Sequence, residues 1–179
     1  MQRRFWVYAT AVLVLIIAAG SITSAQEKKI NRKDVPSAVL NSFHKAYPKA
    51  EIKGTSTETE NGHKYYEIES VQGKKHVDLL LTENGKISEV EETISADELP
   101  ADAVKNLEKK YKGLKIKKAE KVTAGKKITY ELAIESGEHN YEVVLSSSGR
   151  LIKKEQVKKE EKGESGEKGE SGESDEDND

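Results

Sequence analysis

The sequence has no cysteine, three prolines, one tryptophan, one methionine and two phenylalanines among its 179 residues. Without thiols there can be no disulfide staples, thiolate nucleophiles, iron–sulfur ligation or lipidation of a lipobox cysteine. Paired ligand spacings are also missing: His44, His63, His76 and His139 form no His-Glu-x-x-His pair or other compact set, and they read as solvent-exposed polar side chains. The chain contains neither a Gly-x-Ser-x-Gly elbow nor a phosphate-binding glycine loop. The expectation is therefore a non-enzymatic protein with no catalytic residues, no cofactor and no metal site.

Long apolar runs are limited to one, from Phe5 to Ala19, behind Arg3 and Arg4 and ahead of the small residues Gly20-Ser21-Ile22-Thr23-Ser24-Ala25. It falls short of the roughly 20 residues that cross a bilayer comfortably. Residues 1–25 read as a signal peptide cleaved before Gln26. The rival reading is an uncleaved anchor with Trp6 and Tyr8 at the interface, which would be the protein's only membrane contact. Under either reading the body leaves the cytoplasm, and a periplasmic or secreted location is expected.

Charge is abundant where apolar residues are scarce: 35% of the chain is charged and the net charge is −2. The imbalance lies in residues 158–179, where four lysines face ten acidic residues and Gly163, Gly166, Gly169 and Gly172 recur every third position. Four triplets without proline cannot form a collagen helix, so this segment reads as a disordered acidic tail. Its end, Asp175-Glu176-Asp177-Asn178-Asp179, lacks the turn glycine and late glutamate of a calcium loop, and supports at most weak binding of divalent cations. Lys109-Lys110, Lys112, Lys115, Lys117-Lys118 and Lys121 make a basic stretch interleaved with acidic residues. It reads as a solvated face, and no nucleic-acid partner is expected.

Between these ends the chain repeats. A shift of 64 residues superposes 35–91 on 99–155 without a gap, pairing Pro36 with Pro100, Tyr47 with Tyr111, Ile52 with Ile116, Tyr66-Glu67 with Tyr130-Glu131, Gly73 with Gly137, Leu81 with Leu145 and Gly85 with Gly149. Each copy opens on a helix: Val39, Leu40, Phe43 and Tyr47 recur at helical spacing, as do Ala103, Val104, Leu107 and Tyr111. Pro36 and Pro100 are expected in the first turn, where a missing amide costs nothing. Strands follow. Ile128, Tyr130, Leu132 and Ile134 alternate with polar residues, Tyr141, Val143 and Leu145 repeat the pattern, and Tyr66, Ile68, Val77, Leu79 and Leu81 do the same in the first copy. Gly73, Asn84-Gly85, Gly137 and Ser148-Gly149 mark hairpin turns.

The expected fold class is α+β, with two tandem units, each a helix on an antiparallel sheet of three to four strands. The expected divisions are 33–97 and 98–157, between the signal segment 1–25 and the tail 158–179. The helix with Pro36, then Tyr66-Glu67-Ile68, then Val77-Asp78-Leu79 through Asn84-Gly85-Lys86-Ile87, resembles a PepSY-type module. The second copy matches through Tyr130-Glu131-Leu132, Tyr141-Glu142-Val143 and Ser148-Gly149-Arg150-Leu151. The tandem pairing resembles the PepSY-like group compared with the beta-lactamase inhibitory protein. This resemblance, over residues 33–157, implies an extracytoplasmic α+β protein that binds or inhibits another protein, and it implies no catalytic residues.

Alternation also assigns residues to the sheet face away from the helices. There it places Tyr65, Val71 and Leu80 in the first copy and Ala133 and Val144 in the second, among Glu67, Glu69, Asp78, Glu131 and Glu142. If the two sheets join edge to edge, these apolar side chains form a candidate partner-binding face. The expected function is an exported binding or inhibitory module for an unidentified envelope protein. The alternative is a structural or cation-buffering role carried by the tail.

Overall fold

Val39 and Phe43, one helical turn apart, are fully buried, and α1 (Ser37–Ala46) forms around that stripe. Ala103 and Leu107 do the same for α2 (Ala101–Lys110). In this computed structural model, which describes residues 27–60 and 62–157, Pro36 and Pro100 stand one position earlier than expected, immediately before each helix, with φ of −55° and −54°. Their carbonyls accept the amides of Val39 and Ala103, at 3.0 and 2.8 Å, so each proline opens the helix without owing it a donor. A short 3₁₀ turn precedes each helix, at Arg32–Asp34 and Ala96–Glu98. The second is tied by a capping box in which the Ser95 amide and hydroxyl both donate to Glu98 Oε2, at 2.9 and 2.8 Å.

The strands are β1 (Lys28–Lys29), β2 (Glu51–Glu60), β3 (His63–Gln72), β4 (Lys75–Thr82), β5 (Ile87–Thr93), β6 (Lys115–Ala124), β7 (Lys127–Ser136), β8 (His139–Ser146) and β9 (Leu151–Val157). They form one antiparallel sheet in sequence order. The α+β class and the hairpins stand, with four strands after each helix. The sheets of the two copies join edge to edge into one. β5 pairs with β6 from Glu89↔Ala124 to Thr93↔Glu120, because each strand would otherwise leave a row of free backbone groups at its edge. Register shifts occur at Ile52/Gly54 and Leu80/Leu81 and recur 64 residues on, at Ile116/Lys118 and Val144/Leu145.

Both helices pack on the same face of this sheet. Val39 and Phe43 meet Tyr66, Ile68, Val77, Leu79 and Leu81. Leu107 and Tyr111 meet Ala119, Leu132, Ile134, Val143 and Leu145. Burying each large apolar side chain in these clusters contributes about 1.5–3 kcal/mol, which anchors helices too short to persist alone. The signal segment 1–25 and the acidic tail 158–179 lie outside the described residues. No described helix is long and apolar enough to cross a membrane.

Candidate functional site

Residues directly opposite each other on paired strands share a face, so the pairing registers define what the side away from the helices carries. One row runs Ser56, Glu67, Leu80, Glu89, Ala124. A second runs Gly54, Glu69, Asp78, Glu91, Val122, Thr129. A third runs Thr93, Glu120, Glu131, Val144, Lys153, and a fourth Lys118, Ala133, Glu142, Glu155. The β5–β6 pairing thus makes one continuous face, and all five apolar residues singled out in the sequence lie on it.

None of those five stands directly opposite another. Tyr65 stands between Glu58 and Thr82, Val71 between Glu51 and His76, Leu80 between Glu67 and Glu89, Ala133 between Lys118 and Glu142, and Val144 between Glu131 and Lys153. Four are half-buried, and Leu80 is only 7% exposed. The dominant feature of the face is instead a field of carboxyl groups. Glu58, Glu89 and Glu91 are each 6% exposed and Glu120 is 5% exposed. Sequence reasoning passed over these four. Their signal was the alternation of Glu89 and Glu91 around Val90, and of Glu58 two residues from Ser56, but outward strand positions are ordinarily solvated. Here the neighbouring strands on both sides enclose them.

Enclosure removes water from carboxylates and favours their neutral form. Burial, then the charges of Glu60, Glu67 and Glu27, pushes Glu58 up to about 7. Burial, then the charge of Glu131, pushes Glu89 up to about 7. Burial lifts Asp78 up to about 6, against the Ser70 amide that donates to it at 3.0 Å. Glu91 is raised far above the usual carboxylate range by burial, then by its hydrogen bond with Glu120 across the β5–β6 seam. Burial also raises Glu67, against the Ser56 hydroxyl that donates to it at 2.7 Å, and raises Glu131. Glu135, with Lys115 and Lys117 hydrogen-bonded to it, behaves oppositely and falls to about 2.

Few cations temper this field. Lys118 Nζ lies 2.5 Å from Glu120, and its charge also holds down Asp78, Glu91 and Glu131. Replacing Lys118 with Met is expected to cost about 1–2 kcal/mol at neutral pH, because it leaves enclosed carboxylates without a counter-charge. The loss should shrink in acid, where those groups are protonated; urea unfolding at both pH values measures it. At the β1–β2–β3 corner, Glu27, Glu67 and Glu69 each bring a ligand oxygen within 4.8 Å of the others. Glu67, Asp78, Leu80, Glu89 and Glu91 line an open depression beside them. A cationic group placed on this face would relieve its internal repulsion.

Comparison with known proteins adds a family and a fold. A family model described as "Putative beta-lactamase-inhibitor-like, PepSY-like" matches twice, over residues 21–89 and 83–153. No curated protein matches. A solved BLIP-like protein from Bacteroides fragilis NCTC 9343 is 17% identical, with a TM-score of 0.53 over 71% of this chain and 90% of that one. A DUF2874 family protein from Bacteroides uniformis ATCC 8492 is 16% identical, with a TM-score of 0.56 over 68% of this chain and 89% of that one. A structure from Bacteroides eggerthii DSM 20697, described as one of "putative periplasmic proteins", is 14% identical, with a TM-score of 0.57 over 69% and 89% of the two chains. At such identities the likeness is one of fold.

Proposed function

Because the chain belongs to the beta-lactamase-inhibitor-like, PepSY-like family, we propose that it is a non-catalytic binding module of the cell envelope whose acidic sheet face captures a partner protein through basic side chains. The observation that carries this reading is the set of enclosed carboxyl groups, Glu58, Glu89, Glu91 and Glu120, on the face that the helices leave free. Glu58, Glu89 and Glu91 weaken the fold when ionised. A cationic partner would turn that cost into attraction, strengthened by the low dielectric of an enclosed surface. Tyr65, Val71, Leu80, Ala133 and Val144 supply apolar contact between the charges. The division into PepSY-like units 33–97 and 98–157, the signal segment 1–25 and a periplasmic or secreted location complete the reading. An N-terminus of signal-peptide type and the periplasmic description of a fold neighbour support that location.

Affinity capture from an envelope extract tests it, with the full chain as bait beside a Glu67→Gln/Glu69→Gln variant and a variant lacking 158–179. The retained protein is expected to elute with salt, to bind the glutamine variant at least about tenfold more weakly, and to bind the tail-less variant unchanged. Capture insensitive to the glutamine substitutions would refute the acidic face. Capture lost with the tail would favour the cation-buffering alternative.

A further inference from the structure

The sheet ends in two unequal edges. β1 is two residues long, whereas β9 presents seven residues with, among the described residues, a partner, β8, on one side only. Under the 64-residue repeat, β9 is the counterpart of β5, and the corresponding edge of β5 is occupied by β6. The free edge also carries the two exposed large hydrophobic residues of the described chain, Leu151 at 38% and Ile152 at 43%.

The sequence of β9, Leu-Ile-Lys-Lys-Glu-Gln-Val, is complementary to itself when reversed. Centred on Lys154, an antiparallel pair of identical strands sets Leu151 against Val157, Ile152 against Gln156 and Lys153 against Glu155, each twice. Lys153 and Glu155 already lie 3.3 Å apart along the strand, so pairing would join four alternating charges into one network. The lone like-charge pair is Lys154 with itself, and each Lys154 Nζ rests 4.8 Å from the ring of its own Tyr141, which draws it toward its own sheet. Edge strands are commonly kept single by charged side chains, lysine above all; here the reversed pairing sets each Lys153 against a Glu155, which offsets that effect. The head-to-tail alternative, β9 on β2 in the register of β5 on β6, would set Glu155 against Glu58 and would need β1 lifted from Ser56 and Thr57.

We propose that β9 pairs with β9 of a second copy, forming a symmetric dimer with one continuous sheet. Directly opposed residues share a face, so the acidic faces of both copies lie on the same side. The dimer therefore offers a partner two equivalent sites and the gain in avidity that goes with them.

The absence of native cysteine makes the test clean. In the full chain, a Lys154→Cys variant places thiols opposite each other across the symmetry axis, within disulfide reach. Mild oxidation should give a disulfide-linked dimer, while Lys105→Cys on the exposed part of α2 should not. Adding Lys153→Glu to Lys154→Cys should cut cross-linking at least about tenfold, and Lys153→Glu with Glu155→Lys should restore it. Circular dichroism checks that each variant is folded. The proposal is overturned if Lys154→Cys links no faster than Lys105→Cys, or if the charge swap fails to restore linking in a folded protein. Sedimentation of the native chain as a monomer at millimolar concentration, or as species larger than a dimer, also overturns it.

Discussion

Glu89→Gln is expected to stabilise the protein by about 2 kcal/mol at a pH of about 8 and to leave it nearly unchanged at a pH of about 4. Glu89 is 6% exposed, and burial lifts its carboxyl up to about 7. A carboxyl raised in the folded state binds its proton more tightly there than in the unfolded chain. Between the ordinary carboxylate value and about 7, the native protein therefore holds more protons, and raising the pH favours unfolding. Below that window both states are protonated and the penalty vanishes; above it the penalty is complete. Glutamine keeps the shape and cannot ionise, so it removes the penalty where it exists. Glu58, up to about 7, and Asp78, up to about 6, act in the same direction. The unmodified protein should accordingly be more stable to urea at a pH of about 5 than at about 8, the reverse of a protein whose carboxylates sit in salt bridges. Greater stability at the higher pH, or no gain from Glu89→Gln there, would contradict the enclosed state of this face. The result also bears on function, since residues that weaken the fold yet attract cations mark a surface kept for binding. The partner should bind more tightly as pH rises through the same window.

The helices, the hairpins and the inward residues were legible because their signals are local. Val39 and Phe43 repeat at the helical period, Val77, Leu79 and Leu81 at the strand period, and Gly85 and Gly149 sit where the turns need them. The PepSY-like resemblance rested on the same positions, and the family match spans both copies. The β5–β6 seam was less legible, because strand pairing between copies depends on which edges meet after folding. That seam in turn hid the character of the site. Glu91 and Glu120 belong to different copies of the repeat, yet the Glu91↔Val122 and Thr93↔Glu120 registers bring them together, and their hydrogen bond helps to raise Glu91. Leu80 was placed on the correct face, but its burial depends on flanking Glu67 and Glu89, a consequence of register that alternation does not carry.

Gly85→Ala is expected to destabilise the protein by about 3 kcal/mol or more, against about 1 kcal/mol for Gly73→Ala. Both glycines have positive φ, +82° and +67°, so alanine meets similar backbone strain at each. Their surroundings differ. A Cβ at Gly73 would meet nothing within 4 Å, whereas one at Gly85 would lie 2.5 Å from the Ala38 carbonyl oxygen and 2.6 Å from Ser42 Oγ. Gly85 is the point where the β4–β5 turn presses on α1, and the added methyl must push the helix outward. Val39 and Phe43, fully buried on that helix, would lose packing against Ile68 and Leu79, the kind of core loss that costs several kcal/mol. Gly149 repeats the arrangement on α2, with φ of +77° and a Cβ that would come within 2.9 Å of the Ala103 backbone nitrogen and Cα, so Gly149→Ala should behave like Gly85→Ala. Urea unfolding of the three variants separates the contributions. Equal losses at all three sites would mean that backbone strain alone requires glycine. A markedly larger loss at Gly85 and Gly149 would show that close approach of turn to helix is what each copy of the repeat preserves.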